Sequence, residues 1–333
     1  MGKSENTPLL ELRGVYKAYK VGGFLRKVKV NAIEDIWLSL GEADIISLVG
    51  ESGCGKTTTG KVAVGLLKPD KGEVLYKGKN IWEMTKEEFK EFRRNVQMMH
   101  QDPYSSLNPM LTVYKTLSAP LFRHGLASDR EDAVERIARL LRLVGLTPPE
   151  EYMEKYPHQL SGGERQRVAF ARTLSLNPKL IVADEPVSMI DVSLRASILN
   201  LMLDMREKFK VSYVYITHDL ITARYFSRKH LLMIMYLGSI VETGQTDRII
   251  KEPLHPYTQV LLSALPEPDP RITRSKKLIA LRSLDVPSLL RMPTGCKFHP
   301  RCPFFKKGLC DVKRPTLIEV ESGRRVACHL YGS

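Results

Sequence analysis

The chain has no stretch approaching the ~20 consecutive apolar residues that a membrane-spanning helix needs. Its longest apolar segment, Leu231 to Val241, is interrupted by Gly238-Ser239 and reads as two short strands around a turn. The first residues lack the apolar core of a signal peptide, which predicts a cytoplasmic chain unless something holds it to a membrane. Internal repeats and low-complexity tracts are absent. Asn and Gln are sparse, a trait of thermophilic proteins. Cysteine is scarce: of five, Cys54 stands alone and the other four crowd the C-terminus. Cytosolic thiols stay reduced, so four clustered cysteines point to metal before disulfides.

At 333 residues the chain has room for two domains, or for one large core with an appendage. The net charge of +14 is unevenly spread, with fourteen Lys/Arg against four Asp/Glu from Arg271 to Ser333. Nucleic-acid contact, an acidic membrane surface and a basic shell around an anionic cofactor all fit such an excess. Charge alone does not choose among them.

Gly50-Glu51-Ser52-Gly53-Cys54-Gly55-Lys56-Thr57 fits G-x-x-x-x-G-K-[ST]. Ile45 to Val49 before it reads as a buried parallel strand, and Thr57 to Leu67 after it as a helix. The glycines let several backbone N–H groups converge on phosphate oxygens at a helix N-terminus. Lys56 is then placed to reach the β- and γ-phosphates, and the Thr57 hydroxyl to ligate Mg²⁺. Leu180-Ile181-Val182-Ala183-Asp184-Glu185 puts Asp184 at the C-terminal end of a buried strand, where open α/β sheets bind ligands. Asp184 would hold Mg²⁺, and Glu185 would polarise a water for in-line attack on the γ-phosphate. Leu160-Ser161-Gly162-Gly163-Glu164-Arg165-Gln166-Arg167 places Ser161 as N-cap of a helix whose two glycines expose N–H groups, a second anion site. One nucleotide does not easily occupy two separate helix N-termini of one chain, so a second copy or a homologous partner is expected to supply one of them.

Around these motifs, Leu9 to Val15 and Ala32 to Leu40 read as strands joined through a basic connection with Arg26, Lys27 and Lys29. Gly72 to Lys77 is a short strand, Thr85 to Arg94 a charged helix, and a helical insertion occupies about 110–157. Its clearest helix begins at Ser128 in a predicted capping box with Glu131. That helix carries an apolar stripe of Val134, Ile137, Leu141 and Val144, a Glu135–Arg139 pair on the other face, and Gly145 as its stop. Further helices follow at Ser161 to Leu176 and Val192 to Lys208, with strands at Leu180 to Ala183 and Val211 to Ile216. Strands alternating with helices imply an α/β core. Pro266-Glu267-Pro268-Asp269-Pro270 reads as a stiff linker near a domain boundary, dividing the chain into 1–265 and 266–333.

Phosphate loop, LSGGERQR and VADE, in this order, resemble the nucleotide-binding subunit of an ABC transporter. The resemblance implies a P-loop NTPase core with an N-terminal antiparallel β subdomain and a helical subdomain. It also implies two such subunits sandwiching two ATP molecules head to tail, each phosphate loop facing the partner's Ser161-Gly162-Gly163. ATP contacts are then expected at Gly50, Ser52, Gly53, Cys54, Gly55, Lys56, Thr57 and Thr58. Gln101, in His100-Gln101-Asp102-Pro103-Tyr104-Ser105-Ser106-Leu107-Asn108-Pro109, matches the Gln loop that senses Mg²⁺ and couples to the membrane subunit. His218 matches the switch histidine at the γ-phosphate, and Asp191 the loop that communicates across the dimer. Tyr19 matches the aromatic that stacks on adenine, with Tyr16 as the other candidate. Glu164 stands where Gln is frequent, and Met189-Ile190 replaces the usual Ala-Leu; neither removes a ligand.

Cys296, Cys302, Cys310 and Cys328 are spaced C-x5-C-x7-C-x17-C, unlike the C-x2-C pairs of ordinary zinc fingers. Four thiolates suffice for either tetrahedral zinc or an iron–sulfur cluster, and nearby Lys297, Arg301, Lys306, Lys307, Arg324 and Arg325 would offset the charge of either. Leu254-His255-Pro256-Tyr257-Thr258-Gln259 and Gly295-Cys296-Lys297-Phe298-His299-Pro300-Arg301-Cys302-Pro303 resemble the C-terminal extension of oligopeptide and dipeptide importer ATPases. That resemblance implies a 4Fe–4S cluster on the four cysteines, two transmembrane permease subunits, a solute-binding protein outside the membrane, and a peripheral position on its cytoplasmic face. Oligosaccharide importers share the group. The insertion before Asn31-Ala32-Ile33 looks like that of the second ATPase of such importers, the one paired with a sister subunit; a homodimer is the other possibility. The rival from another class is a soluble ABC ATPase acting on nucleic acid. It would call for coiled-coil insertions, paired cassettes or aromatic-basic interleaving, none of which is present. A metal-sensing regulator with vestigial nucleotide binding conflicts with the intact Glu185 and His218.

Overall fold

The computed structural model describes residues 7–22, 28–102, 106–265 and 278–332. Arg26, Lys27, residues 103–105 of the Gln-loop segment and the proline linker at 266–270 lie outside the described residues. Two sheets organise the chain. The first has the order β2-β1-β4-β5, built from β1 (Leu10–Val21), β2 (Val28–Leu40), β4 (Lys71–Tyr76) and β5 (Lys79–Asn80), all neighbours antiparallel. β1 runs six residues beyond the predicted end at Val15, and Lys29 belongs to β2 rather than to the connection. Pairing carries the strand on: Lys17 through Val21 face Ile33 back to Val28, although the outer half is polar and half-exposed.

The second sheet has the order β11-β12-β10-β9-β3-β8-β7-β6. Its centre is parallel: β9 (Leu231–Tyr236), β3 (Ile45–Val49), β8 (Ser212–Thr217), β7 (Leu180–Asp184) and β6 (Val96–Met99). Every residue of β3, β7 and β8 is buried. Strands covered by helices on both faces read as unbroken apolar runs, which is why these were legible. Beyond β9 the sheet turns antiparallel, through β10 (Ser239–Gln245) to β12 (Arg324–Val326) and β11 (Ile318–Glu321). The C-terminal segment therefore extends the central sheet. Its Phe298 and Cys302 share a core with Tyr236, Tyr257 and Ile234.

Helix α1 (Lys56–Ala63) follows β3, and α2 (Lys86–Asn95) starts in a Thr85–Glu88 capping box. A group of helices, α3 (Val113–Arg123), α4 (Arg130–Leu143) and α5 (Pro149–Glu154), fills the predicted insertion. It packs its own apolar faces around Leu117, Ile137 and Leu141. The start of α4 corrects the sequence reading. The cap is Asp129, whose Oδ1 accepts the Asp132 N–H at 2.9 Å, while Asp132 Oδ2 accepts the Ser128 N–H at 3.1 Å. The cap thus moves on to Asp129 while the returning carboxylate reaches the Ser128 N–H, because an ionised carboxylate is the stronger acceptor and Ser128 Oγ itself donates to Asp129 Oδ2. Val134 lies at the margin of the stripe and is exposed; Ile137, Leu141 and Val144 are buried, and Glu135 pairs with Arg139 at 2.9 Å. α6 (Gly162–Leu174), α7 (Val192–Phe209), α8 (Leu220–Ser227), α9 (Thr246–Lys251) and α10 (Pro256–Ser263) follow along the chain. None is long and apolar enough to cross a membrane.

Candidate functional site

Strand order alone assembles the site. In the parallel register Val49 stands beside Thr217, Asp184 beside Ile216, and Met99 beside Ala183. The residues leaving the C-terminal ends of β3, β8, β7 and β6 therefore form a row: the phosphate loop, His218, Asp184-Glu185 and Gln101. The loop is folded tightly against its surroundings. A Cβ on Gly50 would lie 2.2 Å from the Met235 carbonyl oxygen, and one on Gly55, at φ +108°, would lie 2.4 Å from that of Ala32. Only glycine fits either place. Lys56 is buried, and its ammonium donates to the carbonyls of Gly50 at 2.8 Å and Glu51 at 3.0 Å. Cys54 packs inside the loop, and burial pushes its thiol pKa up.

Asp184 is buried at the end of β7 and is hydrogen-bonded to Thr57, yet its Oδ1 has no hydrogen-bond partner among the described residues. Burial, reinforced by the adjacent Glu185 charge, raises its pKa, while Thr57 and Lys56 work the other way. A carboxylate oxygen left unpaired beside a hydroxyl is the donor set a small hard cation takes. Glu185 sits at φ +47°, a backbone conformation unusual for a side-chain-bearing residue. Its Oε2 accepts from Gln101 Nε2 at 3.1 Å and stands 3.1 Å from His218 Nδ1. Three residues from three strand ends thus meet at one carboxylate oxygen.

The segment around Ser161 stands apart from this row, at the start of α6. Ser161 Oγ accepts the Glu164 N–H at 3.3 Å, and Glu164 Oε2 accepts the Ser161 N–H at 2.8 Å, so the predicted N-cap is a full capping box. Glu164 also accepts from the Tyr152 hydroxyl at 2.8 Å, which binds the helical subdomain to this turn. Gln166 Nε2 donates to the Pro186 carbonyl at 2.6 Å, connecting α6 to the chain just past Glu185.

Residues 33–188 match the family described as ABC transporter, and residues 241–310 match the oligopeptide/dipeptide transporter C-terminal region. The oligopeptide transport ATP-binding protein AppF of Bacillus subtilis is 41% identical over 335 residues, covering 99% of this chain and 100% of that protein. The dipeptide transport ATP-binding protein DppF of Haemophilus influenzae is 40% identical, with 97% of each chain covered. The chain belongs to the ABC transporter ATP-binding family. Among solved structures, the dimeric post-hydrolysis state of the ATP-binding cassette MJ0796 bound to ADP and phosphate superposes with a TM-score of 0.63 at 29% identity. It covers 71% of this chain and 98% of that one.

Within this ABC cassette the remaining expected residues fall as follows. Tyr19 is 39% exposed on β1, with its hydroxyl 3.5 Å from Thr58 Oγ1 on α1, so an aromatic face stands beside the phosphate loop. Tyr16 pairs with Lys71 further along the strand. Asp191 is the exposed N-cap of α7. A Cβ on Gly163 would lie 2.9 Å from Leu194 Cδ1, so α6 and α7 touch near both expected dimer-facing segments. None of the four C-terminal cysteines forms a disulfide, and all four line one small cavity with His255, Phe298, Lys306 and His329. Burial, with mutual thiol repulsion adding to it, pushes Cys296 up to about 11 and Cys302 up to about 12. Among the described residues no three His, Cys, Asp or Glu surround a single metal-ion position. Sequence reading set Arg301 beside the cysteines as a charge-offsetting residue and gave Glu51 and Tyr257 no role, whereas the three meet at the rear of the phosphate loop. The only signal was Arg301 and Tyr257 lying in the two C-terminal motifs, and a motif does not say what its side chains touch.

Proposed function

We propose that this chain is the ATP-hydrolysing subunit that powers import of oligopeptides or dipeptides through a membrane ABC transporter. The near-full-length likeness to peptide-transport ATP-binding proteins supports it, together with the matched C-terminal region. The observation that carries the chemistry is the convergence of Gln101 and His218 on Glu185 beside the phosphate loop. The nucleic-acid alternative has no feature of the site in its favour.

The phosphate-loop N–H groups and Lys56 bind and orient the triphosphate, and Tyr19 stacks on the base. Thr57 and Asp184, with Gln101, are the residues to hold Mg²⁺; the unpaired Asp184 Oδ1 fits that role. The ion, when bound, neutralises charge on the β- and γ-phosphates. Glu185 takes a proton from the attacking water, Gln101 and His218 fix its carboxylate, and His218 contacts the γ-phosphate. Ser161, Gly162 and Gly163 of one protomer complete the other's site, and Asp191 lies at the same junction. The partner is a homologous ATP-binding subunit, sister chain or second copy, as the dimeric relative suggests. Two permeases, a solute-binding protein and a peripheral place on the cytoplasmic membrane face complete the assembly.

The division at 265/266 is kept, with the C-terminal part completing the sheet rather than standing alone. Cys296, Cys302, Cys310 and Cys328 are assigned to a 4Fe–4S cluster, with zinc the other candidate. A single zinc would draw its thiolates to within about 4 Å of one another; a four-iron cube takes them further apart around one cavity. Either group would tie residues 296–328 together by binding energy. Hydrolysis stimulated by reconstituted permeases, receptor and peptide supports the whole reading; stimulation by DNA instead overturns it. Anaerobically purified protein should be brown and contain iron, and should lose that colour in Cys302→Ser; zinc without iron would replace the cluster assignment.

A further inference from the structure

Glu51, the second residue of the phosphate loop, is held by side chains that arrive from more than two hundred residues away. Arg301 Nη1 stands 2.9 Å from Glu51 Oε2 and 3.4 Å from the Tyr236 hydroxyl. The Tyr257 hydroxyl accepts the Glu51 N–H at 3.0 Å. The Arg301 side chain is 6% exposed, and its guanidinium lies 5.8 Å from the Tyr236 ring and 5.9 Å from that of Phe298. Tyr236, Tyr257 and Phe298 pack on one another at 4.7 to 5.5 Å and form the wall between the phosphate loop and the cysteine segment. Burial opposes the Arg301 charge, but the bonds to Glu51 and Tyr236 outweigh it.

A carboxylate in a loop that receives a triphosphate is electrostatically misplaced. Left unpaired, it would repel the γ- and β-phosphates, and at an effective dielectric of about 20 one charge about 6–12 Å off changes affinity by roughly ten- to a hundredfold. The Glu51 carbonyl also accepts from Lys56, so the orientation of this residue bears directly on the lysine that must meet the phosphates. Arg301 removes the misplaced charge from one side and Tyr257 fixes the peptide from the other.

We propose that Arg301 is a positioning residue for nucleotide: by neutralising Glu51 it sets the ATP affinity of the phosphate loop from the C-terminal extension. This rests on the loop binding ATP, and the unmodified chain serves as the control for that. Full-length Arg301→Gln, Glu51→Gln and the double variant are to be titrated with a fluorescent ATP analogue at about 50 and about 500 mM salt, where screening differs severalfold in range. ATPase KM and kcat are read in parallel. Arg301→Gln should weaken nucleotide binding roughly ten- to a hundredfold, less at high salt, raising KM while kcat stays within about threefold. The double variant should recover to within about threefold of the unmodified chain, because the repelling charge has gone. Glu51→Gln alone, whose partly exposed side chain tolerates the change, should bind as tightly or more tightly. An Arg301→Gln variant with unaltered affinity, or a defect that Glu51→Gln leaves uncorrected, overturns the proposal. So does a tenfold loss in Glu51→Gln alone, which decides the matter if Arg301→Gln does not fold. An unmodified chain that fails to bind the analogue refutes nucleotide binding itself.

Discussion

Replacing Glu185 with Gln removes one proton-accepting oxygen and almost nothing else. The side chain keeps its length, its backbone can keep φ +47°, and an amide oxygen in the place of Oε2 can still accept both contacts now made by Gln101 and His218 at 3.1 Å. What the proposed role would lose is general-base catalysis, worth about 10²–10⁴ in rate. At 1.36 kcal/mol per decade this raises the barrier by about 3–5 kcal/mol. Nucleotide binding should survive and tighten slightly, since one anion fewer stands beside the triphosphate. The fold should gain a little as well: the Glu185 charge contributes to raising Asp184, and its removal relieves a carboxylate pair by less than about 1 kcal/mol. Single-turnover hydrolysis with enzyme in excess isolates the chemical step, and a fluorescent-nucleotide titration reads binding. A hydrolysis rate within tenfold of the unmodified chain, with folding and binding intact, would refute the assignment of Glu185 as base.

Three other outcomes follow from the same structure. Gly55→Ala places a methyl 2.4 Å from the Ala32 carbonyl oxygen at φ +108°, so it should cost at least about 2 kcal/mol; an unmoved urea midpoint would count against the packing. His255 is fully buried, burial lowers its pKa to about 3, and it accepts the Tyr257 N–H at 3.0 Å. Below its unfolded pKa of ~6.5 the unfolded chain takes up a proton that the folded chain refuses. Stability should therefore be present above that value and fall as pH drops toward 3, by at most about 5 kcal/mol, with a shallower slope in His255→Gln. Tyr19→Ala should weaken ATP by about 1–3 kcal/mol if the ring stacks on the base, with Tyr19→Phe near neutral and Tyr16→Ala unaffected. Equal losses at Tyr16 and Tyr19 would remove that role.

Local chemistry was readable residue by residue. The phosphate loop needs glycine where a Cβ has no room, strands β3, β7 and β8 are apolar because both faces are covered, and Ser161 caps α6 in the box its spacing with Glu164 allows. The signal weakened where two local solutions compete within a residue of each other, as at Asp129 and Ser128. It also weakened where pairing rather than periodicity extends an element, as in the polar outer half of β1.

The order of motifs along the chain was thus enough to name the loop, strand ends and cap that the fold then forms, since each motif is short and its residue types answer to nearby backbone. Their meeting was a tertiary matter. Only the strand order β3-β8-β7-β6 puts Gln101, His218 and Glu185 on one oxygen, and only the joining of β12 to β10 brings the C-terminal segment up behind the phosphate loop. Arg301 and Glu51 are 250 residues apart, and no local rule couples such a pair. Sheet pairing and core packing decide it, because their free energy is gained only when distant apolar surfaces close on each other.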